Sequence, residues 1–73
     1  MKGSVIYRDP DILGGTPVFR GTRVPIRILF EHLEAGDALE IFLTDFPSVT
    51  CQQASEVLHL ALDQLTDIDE AAA

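Results

Sequence analysis

Seventy-three residues carrying one cysteine and a net charge of −7 have room for a single small domain and no internal disulfide. The longest apolar runs are three residues, such as Ile28-Leu29-Phe30, far short of the roughly 20 a membrane-spanning helix needs. The charge is uneven: all five cations fall in residues 1–27 beside two acids, while residues 28–73 hold ten acids and neither Lys nor Arg.

Such a small domain is only marginally stable and is expected to lean on a partner or a second copy. The N-terminal MKGSVIYRD lacks the apolar core of a signal peptide, so a cytoplasmic location is expected.

In chain order, Val5-Ile6-Tyr7 reads as a short strand. Asp9 should cap a tight turn with Pro10 at its first position, and Gly14-Gly15 should reverse the chain. Pro17-Val18-Phe19-Arg20 reads as a second strand, antiparallel to the first. Two strands are marginal in water, so this hairpin has to pack on something else.

Three helical patterns follow. The first starts near Pro25 and repeats apolar groups at Ile26, Leu29, Phe30 and Leu33 before Gly36 stops it. The second opens on Asp37 as a cap with Glu40 three residues on, carries Leu39, Phe42, Leu43 and Phe46, and ends at Pro47. The third opens on a Thr50/Gln53 capping box and carries Ala54, Val57, Leu58, Ala61, Leu62 and Leu65.

The expected fold is mainly α: a three-helix bundle with a helix-turn-helix, homeodomain-like or winged-helix-like, preceded by a short N-terminal β-hairpin. Residues 1–65 form the domain, and the acidic segment 66–73 is read as a flexible tail. Ile28, Ile41 and Leu60 fall off the three stripes. Either they are isolated exposed apolar residues, or they make a second apolar face for dimerisation or a partner.

The densest stretch runs from Asp9 to Pro25, DPDILGGTPVFRGTRVP, with three prolines, three glycines and two arginines. Glycine permits left-handed backbone and proline fixes φ, so this density specifies a chain path. With the GG-x-P-x-x-x-GTR-x-P pattern (Gly14, Gly15, Pro17, Gly21, Thr22, Arg23, Pro25), and with Asp45-Phe46-Pro47 and Thr50 before the last helix, the chain resembles the family catalogued as domain of unknown function 433. The match runs from about Ile6 to Leu62. The resemblance implies a helix-turn-helix bundle with a small β-element and a role as a VapB-like antitoxin of a type II toxin–antitoxin module, paired with a PIN-like ribonuclease. It implies no catalytic residue.

Arg20, Arg23 and Arg27 are the candidate groups for an anionic partner. Among the carboxylates of a metal-dependent nuclease, an arginine would pair bidentately and hold its charge. The acidic remainder of the chain would suit the basic RNA-binding rim of such an enzyme. A homodimer, and autoregulation through operator DNA, belong to the same expectation.

The alternative is a stand-alone DNA-binding regulator. Its third helix would enter the major groove with Gln52, Gln53 and Ser55 as base readers, since glutamine can pair with adenine. That helix has no Lys or Arg for phosphates, so Arg20, Arg23 and Arg27 would have to supply them.

An enzyme is not expected. Cys51 and His59 lie about 12 Å apart along one helix, too far for direct proton transfer. His32 and His59 show no metal-ligand spacing, and no cofactor motif is present.

Overall fold

The computed structural model describes residues 4–72, with side chains through Asp67. Lys2, one of the five cations, therefore lies outside the described residues. Strand β1 (Ile6–Tyr7) pairs antiparallel with β2 (Val18–Phe19) in the register Ile6↔Phe19 and Tyr7↔Val18. On its other side β2 meets an extended segment through an antiparallel bridge, Val18↔Pro25, so β2 is flanked on both edges.

Between the strands, Asp9 forms the expected turn: its Oδ1 accepts the Asp11 N–H at 2.9 Å and its carbonyl accepts the Ile12 N–H at 2.8 Å. The reversal after it is left-handed over three successive residues, Leu13 (φ 51°), Gly14 (φ 65°) and Gly15 (φ 93°). Glycine enters this region without penalty, but Leu13 carries a Cβ strain of about 1–2 kcal/mol.

Helix α1 (Ile26–Glu34) starts after Pro25 and is stopped by Gly36 at φ 90°, as the pattern predicted. Helix α2 (Leu39–Asp45) differs at its start. Asp37 was expected to cap it, yet Ala38 occupies the cap position and no side chain bonds the first turn. The Asp37 carboxylate instead sits 3.0 Å from His32 Nδ1, so a partner on α1 outcompetes the orphan amides of α2. Helix α3 (Cys51–Ala72) begins on the reciprocal box: Gln53 N–H donates to Thr50 Oγ1, and Thr50 N–H donates to Gln53 Oε1, both at 3.0 Å.

The architecture is mainly α, with three helices behind a small antiparallel β-element. Helix α2, the turn Phe46–Thr50 and α3 follow one another in helix-turn-helix order. The core gathers Val5, Phe19, Val24, Leu29, Phe42, Val49, Ala54 and Val57 from β2, the three helices and the segments beside them. Phe42 is fully enclosed, with ring centroids at 5.9 Å from Phe19, 5.3 Å from Phe46 and 5.6 Å from His32.

Helix α3 outlasts the body it packs on. Ala54 and Val57 are buried and Leu58 packs against the core, but Leu62 and Leu65, on the same stripe, are 54% and 61% exposed. The backbone continues as helix across the expected boundary after Leu65, where the Thr66 hydroxyl donates back to the Leu62 carbonyl at 2.9 Å.

Because Phe42 joins the β-element to α1 and α2, Phe42→Ala should cost about 3–5 kcal/mol, most of the stability of so small a domain. Urea unfolding followed by circular dichroism should find the variant largely unfolded at room temperature.

Candidate functional site: the arginine loop and the face of α3

Residues Phe19–Val24 form a closed loop, sealed at its base by the Phe19 N–H donating to the Val24 carbonyl at 3.0 Å. Within it, Thr22 N–H donates to the Phe19 carbonyl at 3.0 Å, which makes Arg20 and Gly21 the central pair of a β-turn. Gly21 takes φ 80°, the left-handed value the second central residue of a type II turn needs. The Thr22 hydroxyl then clasps both sides, donating to the Phe19 carbonyl at 2.8 Å and accepting the Val24 N–H at 3.0 Å. The GTR triplet is thus a turn residue, a clasp and an outward-facing cation.

The loop is tied to α3 as well. Gln53 Nε2 donates to the Arg20 carbonyl at 2.9 Å, while its Oε1 serves the capping box. Gln53, expected as a base reader, therefore has both ends of its carboxamide engaged. It is a brace between the β-element and α3.

The three candidate arginines are in different states. Arg20 is held in place: its guanidinium carbon lies 4.8 Å from the centroid of the Tyr7 ring, and its Nε donates to the Ser4 carbonyl. Arg27 pairs with Glu31 at 3.0 Å, one helical turn on, with both side chains more than half exposed. Such a pair is worth about 0.3–0.5 kcal/mol. Arg23 is exposed and makes no side-chain hydrogen bond or ion pair among the described residues.

Gln52 and Ser55 line an open groove of about 390 Å³ together with Ser4, Val5, Glu56, His59 and Leu60. Among the described lining residues Glu56 is the one carboxylate, and neither Lys nor Arg is present. His59 is 3.7 Å from Asp63, with both side chains largely exposed. The three residues weighed as a second apolar face sit in different surroundings. Ile28 is half-buried against the core, and Leu60 belongs to the groove wall. Ile41 is 48% exposed on α2.

One constellation escaped the sequence reading. His32 on α1 has Asp37 at 3.0 Å on Nδ1 and Asp45 at 3.9 Å on Nε2, and it meets Phe42 and Phe46 edge-on at 5.6 and 5.9 Å. Through Asp37 it ties the segment that leads into α2 to α1. The spacing carried no sign of this, because Asp37 has an equally good local use as a helix cap. Among the described residues no group of three or more His, Cys, Asp or Glu side chains is placed to hold a metal ion. Nor is any described helix long and apolar enough to cross a membrane.

Since Gln53 serves two hydrogen-bonded contacts, Gln53→Ala should lower stability by about 1–2 kcal/mol. Amide hydrogen exchange should quicken selectively at Thr22 and Val24, in the loop it braces.

Comparison with known proteins places this geometry in a family. The family model described as protein of unknown function, DUF433, matches residues 6–61. The uncharacterized protein y4eO of Sinorhizobium fredii is 43% identical over 49 residues, covering 67% of this chain and 22% of that relative, so the chain matches about a fifth of its length. A crystal structure of a DUF433 member protein from Anabaena variabilis superposes with a TM-score of 0.70 at 25% identity, over 93% of this chain and 67% of that one.

Proposed function

The chain belongs to the DUF433 family, and from that premise we propose that it is the antitoxin of a type II toxin–antitoxin pair, silencing a PIN-like ribonuclease in the cytoplasm. The observation that carries the reading is the state of Arg23. Of the three candidate arginines it alone has an unpartnered guanidinium among the described residues, and it stands on a loop held by Gly21, Thr22 and Gln53.

A rigid loop loses little conformational entropy when it docks, so more of the ion-pair energy is left for affinity. The receiving site in such a nuclease is a cluster of carboxylates that gathers divalent metal ions to activate water. A guanidinium fork among those carboxylates pairs bidentately, neutralises the charge the metals would neutralise, and activates no water. The acidic region beyond residue 27 then faces the cationic rim that such an enzyme needs for RNA.

The runner-up is a DNA-binding regulator, with Gln52 and Ser55 exposed on the first turns of α3 as readers. It is weakened by the engagement of Gln53 and by Glu56 on the face that would approach phosphate.

Co-expression with the product of the neighbouring gene, then affinity measurement and a ribonuclease assay, tests the reading. Arg23→Glu should weaken the complex by at least about tenfold, or 1.4 kcal/mol, and restore cleavage, with an unchanged circular dichroism spectrum. Arg23→Lys should fall between, because it keeps the charge and loses the fork. An active nuclease in the presence of the wild-type protein would refute the role. Sequence-specific DNA binding by the isolated chain would favour the regulator.

A further inference from the structure

The apolar stripe of α3 is the largest feature left unused by the arginine loop. Its steps alternate four and three: Ala54, Leu58, Ala61 and Leu65, carried on in the sequence by Ile68 and Ala72. That is the spacing of a coiled-coil seam. The body of the molecule covers only its beginning. Ala54 is fully buried and Leu58 packs on the core, whereas Leu65 and the adjacent Leu62 are more than half exposed. A helix of 22 residues is about 33 Å long, so a projecting arm of several turns carries bare leucines on the side that faces the core at its root.

We infer that this arm is an interface with a second copy of the chain, the two α3 helices packing antiparallel across Leu62 and Leu65 about a two-fold axis. The charge distribution chooses both the occupant and the direction. The arm holds Asp63 and Asp67 and, in sequence, Asp69 and Glu70, with no cation after Arg27. Parallel pairing would set each acid beside its own copy.

Antiparallel pairing points each acidic end toward the end of the partner that bears the arginines. Within one chain, the Gln53–Arg20 bond holds the arginine loop at the N-terminal end of α3. A two-fold interface of this kind is self-complementary: the acidic arm of each copy is directed to the cationic end of the other. The dimer does not depend on the nuclease reading.

Sedimentation equilibrium of the full chain, from low micromolar to sub-millimolar concentration, is the test. The wild type should be a dimer, and Leu62→Ser with Leu65→Ser should weaken association at least tenfold with an unchanged circular dichroism spectrum at room temperature. Leu60→Ser, on another side of α3, should leave it intact.

The direction can be read from Cys51, exposed at the start of α3, through a spin label. Two labels should lie about 40 Å apart in the antiparallel dimer, against about 10 Å for parallel helices. A monomer at all concentrations, a dimer that survives the double substitution, or labels at the short distance would each overturn the inference.

Discussion

Enclosure of Phe42 is the contact on which the rest of this structure depends. A two-stranded ribbon of two-residue strands has almost no stability of its own, and two helices of nine and seven residues are too short to persist alone. Phe42 makes the pieces mutually necessary: it receives Phe19 from β2, His32 from α1 and Phe46 from the end of its own helix. Val49, Ala54 and Val57 then bring the root of α3 into the same cluster. Removing water from these faces together supplies the driving force that no element could generate separately.

The arginine loop inherits its rigidity from that core. Phe19 and Val24, its two ends, are both buried in the cluster, so their positions are set by packing. Gly21 and Thr22 then determine how the chain passes between those ends, and Gln53 fastens the loop to α3. Arg20 and Arg27 are drawn into side-chain contacts within the molecule, and among the described residues Arg23 makes no such hydrogen bond or ion pair. The selection among three chemically identical groups comes from neighbours: an aromatic face for Arg20, a carboxylate one turn away for Arg27.

Charge and apolar surface are distributed unevenly over the chain. Arg8, Arg20, Arg23 and Arg27 lie on the β-element, its connections and the first turn of α1, and ten acids follow from Glu31 onward. The projecting part of α3 combines acids with bare leucines, a combination that costs solubility little while it leaves apolar area to bury on association. A protein-binding role suits this surface better than nucleic acid, since phosphate would meet carboxylates along most of it.

Much of this was legible in the sequence wherever the signal was local. Helix α1 begins after Pro25 and is stopped by Gly36, the Thr50/Gln53 box starts α3, Asp9 turns the chain, and Gly14, Gly15, Gly21 and Gly36 occupy left-handed positions. Each depends on residues within a few positions of one another, so the chain itself supplies both partners. The family, too, was readable from the glycine–proline pattern.

Tertiary structure decided whatever required a choice between near and distant partners. Asp37 left the helix start for His32, Gln53 turned from the surface to the Arg20 carbonyl, and Ile28 packed half-buried against the core. It also decided where the body ends along α3. An apolar stripe reads the same whether or not anything packs on it, so only the three-dimensional arrangement leaves Ala54 buried and Leu65 bare.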